Sequence, residues 1–255
     1  MSDAVLFDAR DDGIAVITLN RPEARNALGK DIRAGLFAAW ERFERDPALR
    51  VAILTGTGEK AFCAGGDLKE MMELGLTVPP REMFPVPGDT IDLTKPTIAA
   101  VNGVAYAGGW MIAQACDLCV ASVNAQFAIT EVKVGRSSPW AAALIHMIPQ
   151  RIMMEIVLTG KPIGAQRAYE VGLVNRVAAA GELMAAALAL AGDILDGAPL
   201  SVQAAREMVM LSTEMGRGAA LRAARHASDR VYRSEDAQEG PKAFAEKRRP
   251  QWRGR

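Results

Sequence analysis

Net charge is the first thing this sequence lacks. Its 30 basic and 30 acidic residues cancel over 255 positions, which removes any overall pull toward nucleic acid or an anionic membrane. Cysteine is scarce as well. An odd count of three, Cys63, Cys116 and Cys119, argues against a disulfide framework. These cysteines read as core residues in a reducing compartment. Only two histidines are present, His146 and His226. "CDLC" has metal-like spacing, but with no second pair and no nearby histidine it predicts no metal site. No apolar run is long enough to span a bilayer, and "MSDAVLFDARDD" carries no apolar signal core. The expected location is cytoplasmic.

What is present is an ordinary globular balance, half hydrophobic and 24% charged. The length fits one domain, or a domain with an extension. "GIAVITLN" alternates and predicts a strand. Ile32, Leu36, Trp40 and Phe43 recur at helical spacing from about Asp31 to Arg45. "VAILTG" is a short apolar run, a buried strand. "DLKEMMEL" reads as a helix with Asp67 placed to cap it. Residues 75–90 hold Pro79, Pro80, Pro85 and Pro87, which excludes a regular helix or a central strand and leaves a loop or lid. "KPTIAAVNG" returns to strand and loop and "GGWMIAQAC" to helix, while "DLCVAS" and "AQFAIT" read as short strands. "WAAALIHMI", "RIMMEIVLTG" and "AQRAYEVGLV" read as short helices, and three or four longer ones follow from Glu182. Strand–helix alternation followed by helices predicts an α/β core over 1–195 and a helical region over 196–255. The basic end, "EKRRPQWRGR", reads by composition as a solvated tail, or as a partner for an anionic ligand.

Two segments share one layout. "VAILTG…FCAGGDLKEM" and "TIAAVNGVAYAGGWMIAQA" each run strand, loop, Gly-Gly, helix. Each sets a peptide N–H beside a helix start, where unpaired donors and partial positive charge collect. Two such donors converging on one point would hold a developing oxyanion. The plainer reading is close helix–sheet packing at two turns, and spacing alone favours it.

The motifs "LNRPEARNAL", "VAILTGTGEKAFCAGGDLKEM", "KPTIAAVNGVAYAGG", "ACDLCVAS…AQFAITEVKVG", "LTGKPIGAQRAYEVGLVNRV" and "SEDAQEGPKAFAEKRRPQWRGR" together resemble the crotonase superfamily, the enoyl-CoA hydratase/isomerase family, over nearly the whole chain. The resemblance implies a spiral of ββα units with a C-terminal helical trimerisation region, assembled as a homotrimer or a hexamer of paired trimers. It implies an acyl-CoA thioester as substrate, with no cofactor beyond the CoA moiety and no metal. By the same resemblance, the N–H groups of Gly66 and Gly108 form the oxyanion hole. Ala24, Arg25, Ala27 and Ala64 lie near CoA, and Phe244 and Lys247 reach the CoA of a neighbouring subunit. Glu131 matches one of the two glutamates that hydratases of the family use on water.

The other glutamate is missing, because its position holds Met111. A thioether sulfur is at best a weak acceptor. Asp89, Asp92, Glu70 and Glu82 are the candidates for a replacement carboxylate. The stretch "GRSSPWAAAL" also departs from the family pattern, and it brings Trp140 toward the acyl pocket, with Trp110 as core or pocket wall. Asp117 reads as a structural hydrogen-bonding residue, and Tyr106 and His146 as packing. Three activities follow. The first is hydration or dehydration of a 2-enoyl-CoA; "LRVAILTGTGEKAF" and the C-terminal motif are similar to carnitinyl-CoA dehydratases in particular. The second is a one-glutamate isomerase with Glu131 as proton shuttle. The third is an acyl-CoA-binding homologue without turnover.

Overall fold

The chain opens with two strands, β1 (Val5–Ala9) and β2 (Ile14–Leu19), paired as an antiparallel hairpin. The structure is a computed structural model that describes residues 3–75 and 77–255. Met1, Ser2 and Leu76 lie outside the described residues, so the proline-rich stretch is described without Leu76. Helix α1 (Lys30–Arg45) follows and buries Ile32, Leu36, Ala39, Trp40 and Phe43. That is the stripe expected from the spacing. Each fully buried Leu, Ile or Phe contributes about 1.5–3 kcal/mol relative to exposure, so this face anchors α1 to the core.

Three repeats then build the centre. The first is β3 (Val51–Gly56), β4 (Ala61–Cys63) and helix α2 (Leu68–Glu73). The second is β5 (Thr97–Val101), β6 (Val104–Tyr106) and α3 (Gly108–Gln114). The third is β7 (Leu118–Ser122), β8 (Gln126–Ala128) and a short 3-10 helix, Glu131–Val134. Each repeat sends its first strand to a six-stranded sheet and its second to a smaller one. With β9 (Ile163–Gly164) and β10 (Arg176–Ala178), the sheet orders are β1-β2-β3-β5-β7-β10 and β4-β6-β8-β9. β3, β5 and β7 are buried in the large sheet as parallel neighbours, which is why "VAILTG" shows no alternation.

After the third repeat come two further helices, α4 (Gln150–Thr159) and α5 (Ala165–Glu170). The expected helix at "WAAALIHMI" is a 3-10 helix, Pro139–His146, closed by i→i−3 bonds such as Ala141 N–H to the Ser138 carbonyl at 2.9 Å. His146, expected to pack, is exposed there.

Helix α6 (Leu183–Leu195) packs Leu183, Ala187 and Ala191 against Ile14, Val51, Ile53, Ile98 and Val120 of the large sheet. Beyond it, α7 (Pro199–Glu214) and α8 (Arg217–Tyr232) pack together, and α9 (Asp236–Ala245) leads to the tail. Arg206 on α7 ties these helices to the core. It donates to Asp117 and to the Leu93 carbonyl, both at 2.7 Å, while Asp117 also accepts from the Thr97 N–H and hydroxyl. This is the structural role expected for Asp117. The basic tail folds back rather than standing free. Arg248 pairs with Glu239 and Glu246, and buried Asp236 accepts from the Arg253 and Gly254 N–H groups.

The three cysteines are free and buried. Burial pushes the thiols of Cys63 and Cys119 up to about 12 and raises that of Cys116 as well, so all three behave as core groups. Among the described residues no single helix is long and apolar enough to cross a membrane.

Candidate active site

The small sheet brings the two glycine loops and the glutamate together. β4, β6 and β8 are parallel neighbours, with Cys63 beside Ala105 and Tyr106 beside Ala128. The loops at their carboxyl ends carry Gly66, Gly108 and Glu131 respectively. Three residues spread over 66 positions thus stand at adjacent strand ends, the edge where open parallel sheets bind ligands.

The two glycine N–H groups belong to one patch. A Cβ added at Gly108 would lie 3.6 Å from the Gly66 nitrogen, and one at Gly65 would lie 3.4 Å from the Gly108 nitrogen. Among the described residues neither N–H has a protein acceptor. Gly108 is the first residue of α3, so its donor is one that the helix leaves unpaired. Ala107 before it adopts φ 50, ψ −122, close to the first central position of a type II′ turn and strained for any residue with a Cβ. Its N–H donates to the Ala128 carbonyl at 2.9 Å, at the end of β8. That strain turns the chain so that α3 starts at the sheet edge.

The second glycine of the pair has a different job. A Cβ at Gly109 would overlap the Cys63 carbonyl oxygen and lie 2.8 Å from its carbon. α3 therefore rests directly on the β4 backbone. In the other loop Gly65 takes φ +103, a conformation that glycine adopts freely. Its carbonyl accepts from the Leu28 N–H at 2.8 Å, and the Ala64 N–H donates to the Arg25 carbonyl at 3.0 Å. The Asp67 carboxylate accepts from the Lys69 and Glu70 N–H groups, capping α2 as expected.

Asn26 is the residue of the "PEARNAL" loop that sequence reasoning passed over. It is fully buried at φ 54, accepts from the Arg21 N–H, and donates to the carbonyls of Ala61 and Thr57. It thereby fastens this loop to β4. A pocket of about 330 Å³ opens beside it, lined by Pro22, Arg25, Asn26, Thr57, Gly58, Glu59, Lys60 and Ala61. Of the residues expected near CoA, Arg25 lines this pocket. Ala24, Ala27 and Ala64 are half-buried. The exposed cations Arg25 and Lys60 suit an anionic group there. Phe244 is 87% exposed and Lys247 is exposed at φ 53.

Glu131 begins its 3-10 helix and is half-buried. Burial pushes its carboxyl above the ordinary glutamate value, while its own backbone N–H and the Trp140 indole pull the other way. The Trp140 Nε1–H donates to Oε1 at 2.9 Å, and Oε2 is buried with no partner among the described residues. Met111 is 7% exposed and packs in the core. Trp110, expected as core or wall, is core. It exposes no surface, and its ring sits 5.6 Å from that of Phe127 and 6.5 Å from that of Trp140. Tyr106 donates its hydroxyl proton to Gln126. The candidate replacement carboxylates are paired elsewhere or exposed. Glu70 is held by Arg33 and the Lys30 N–H, Asp89 is held by Arg81, and Glu82 and Asp92 are exposed.

A paired set of unclaimed N–H donors beside a carboxylate with one unclaimed oxygen can polarise a carbonyl and move a proton next to it. Comparison with known proteins gives this arrangement its family. The model for enoyl-CoA hydratase/isomerase matches residues 9–255. The chain belongs to the enoyl-CoA hydratase/isomerase family. Within it, the (E)-benzylidenesuccinyl-CoA hydratase of Thauera aromatica is 41% identical over 94% of this chain and 96% of its own. The carnitinyl-CoA dehydratase of Proteus mirabilis is 40% identical over the full length of both. The crystal structure of an enoyl-CoA hydratase from Mycobacterium tuberculosis H37Rv superposes with a TM-score of 0.90 at 40% identity, covering 99% of each chain. The ββα repeats and the helices after them are thus the fold of this family.

Proposed function

We propose that the protein adds water to a 2-enoyl-CoA thioester, or removes it, through an enolate held by the Gly66 and Gly108 N–H groups, with Glu131 carrying the proton. The observation that carries this reading is the convergence at three neighbouring strand ends of two unclaimed peptide donors and one unclaimed, buried carboxylate oxygen. The hydratase and dehydratase names of the relatives support the same reaction type.

In the forward direction the thioester oxygen accepts both N–H groups, which draws electrons from the C=C bond. Water attacks Cβ, and its proton passes to Glu131. As the C–O bond forms at Cβ, the C=C π pair shifts to make a double bond between Cα and the thioester carbon, and the C=O π pair moves onto the thioester oxygen. The enolate then collapses, and Glu131 returns the proton to Cα. One proton leaves water and one reaches carbon, so a single carboxylate serves as base and then as acid. Its raised pKa suits both halves of that cycle. Each oxyanion donor is worth about 10²–10³ in rate.

Arg25 and the pocket beside Asn26 receive the CoA portion in this reading, and Ala24, Ala27 and Ala64, which do not line that pocket, are assigned to CoA by the family resemblance alone. We further place the protein in the cytoplasm as a homotrimer or paired trimers, formed through the helices after Leu195. Exposed Met208, Val209, Leu221 and Phe244 on those helices support an interface, and three free cysteines fit a reducing compartment.

A second reading, a one-glutamate isomerase, is favoured by Met111, since proton transfer between Cα and Cγ needs no activated water. Incubation with a panel of 2-enoyl-CoAs in deuterated water, read by mass spectrometry, separates the two. Gain of one water is expected. Deuterium exchange without water gain would favour the isomerase, and no change would favour a binder.

A further inference from the structure

Trp140 sits where the sequence departs from the family pattern, and its position gives it more than a wall to form. Its indole nitrogen donates to Glu131 Oε1 at 2.9 Å, while Oε2 is buried and unpartnered. An indole N–H is a donor only. It can neither accept the proton that Glu131 takes up nor supply one of its own at working pH. It therefore makes the two carboxylate oxygens chemically unequal.

The tryptophan is itself held. Its backbone carbonyl accepts from the Gln114 amide at 3.0 Å, and its ring tilts against Trp110 at 6.5 Å. Gln114 and Trp110 both lie on α3, the helix whose first residue is Gly108. The glutamate's own turn is closed by the Arg136 N–H donating to the Glu131 carbonyl at 2.9 Å, with Gly135 in the left-handed region. The Glu131 backbone is thus fixed by its own turn and its carboxylate is held at Oε1 by Trp140, which α3 holds in turn.

We propose that Trp140 is a positioning residue for Glu131, its indole N–H clamping Oε1 so that Oε2 alone exchanges the proton with water and with Cα. This rests on the hydration reading given above, and it replaces part of what a second carboxylate would do. Two glutamates can orient a water between them. With Met111 in place of one, the remaining carboxylate must present a single oxygen in a fixed direction, and the indole supplies that constraint. The charged groups of the surrounding elements do not act on this carboxyl. Lys133 on its own turn, His146 on the following 3-10 helix, and Arg151 and Glu155 on α4 are all exposed, and Arg136 is half-buried; burial and two hydrogen bonds account for its behaviour.

The test is Trp140→Phe, read in two ways. In substrate-free enzyme, infrared difference spectra against Glu131→Gln report the titration of Glu131 directly. Loss of a hydrogen bond to the charged form is expected to move its midpoint up by about one to two pH units. In turnover, the acid limb of kcat/KM is expected to move by the same amount, and kcat to fall about tenfold, while KM changes by less than threefold. An unmoved midpoint together with a raised KM would make Trp140 a pocket wall only and overturn the proposal. Where Trp140→Phe does not fold, Gln114→Leu carries the test, with a smaller shift in the same direction expected and no shift overturning it. If the infrared midpoint moves but Glu131→Gln still turns over, the hydrogen bond stands while the proton-carrying role of Oε2, and with it the Glu131 step of the proposed function, is refuted.

Discussion

Replacing Gly109 by alanine tests whether the seat of α3 on β4 also sets the position of the Gly108 N–H. The added Cβ would overlap the Cys63 carbonyl oxygen and sit 2.8 Å from its carbon and 2.9 Å from its Cβ. Carbon atoms in good contact lie about 3.5–4.0 Å apart, so the start of α3 must withdraw by about 1 Å. The obstacle is β4 backbone, which cannot rotate aside as a side-chain tip can. The strain is expected to cost about 1–3 kcal/mol, or about 2–12 °C in Tm for a chain of this size. The Gly108 N–H travels with the helix, away from Gly66, and a 1 Å misplacement of this kind costs about 10² in rate. Circular-dichroism melts and steady-state turnover of a 2-enoyl-CoA check both effects. Gly192→Ala is the control. It lies within α6 with nothing inside 4 Å of its added Cβ, and is expected to be neutral or to stabilise by up to about 1 kcal/mol. A Gly109→Ala protein with wild-type Tm and turnover would refute the view that α3 rests on β4 and that its seat sets the donor geometry.

Other variants test the remaining parts. Glu131→Gln is expected to lower turnover by at least about 10²-fold while leaving acyl-CoA binding by calorimetry within a few-fold of wild type. The raised Glu131 pKa sets the direction of two pH effects. Activity that needs the carboxylate should fall with pH through a midpoint above the ordinary glutamate value. Because the folded state binds this proton more tightly than the unfolded one, the associated stability is present at low pH and lost as pH rises through the folded pKa. Glu131→Gln should therefore melt higher than wild type at neutral pH. Met111→Glu is expected to raise hydration of crotonyl-CoA and to lower Tm, since position 111 is buried and the new carboxylate is desolvated; no gain in a folded variant would show that the missing glutamate is not limiting. Asn26→Ala strands the part-buried Arg21 N–H and leaves the Ala61 carbonyl with Asn102 as its remaining side-chain donor; it is expected to cost about 1–3 kcal/mol and should raise KM for acyl-CoA more than it lowers kcat.

What could be read from the sequence was what short range decides. The α1 stripe, the Asp67 cap and the buried run of β3 all follow from neighbours within a few positions, and the structure has each of them. β1 was harder, because an edge strand buried at one end shows little alternation. The 3-10 form of Pro139–His146 was also missed, since an apolar run carries no mark of i→i−3 bonding. The site depends on pairing β4 with β6 across about 40 positions and β6 with β8 across about 20, and no local pattern specifies that. Resemblance to a family supplied those residues, but it could not give their linkage. The second glycine of "GGW" could be assigned to packing only once Cys63 was seen beneath it. Trp140 could be named as a wall from its place in a divergent loop, while its bond to Glu131 needed coordinates.

The central claim is that Glu131, with no second carboxylate, carries a proton from water to Cα of a 2-enoyl-CoA. Turnover of such a thioester in deuterated water by wild type and Glu131→Gln, followed by mass spectrometry of the acyl product, tests it most directly. Gain of one water with a single deuterium at Cα is expected for the wild type, and neither for the variant. Water addition at the wild-type rate by Glu131→Gln would contradict it.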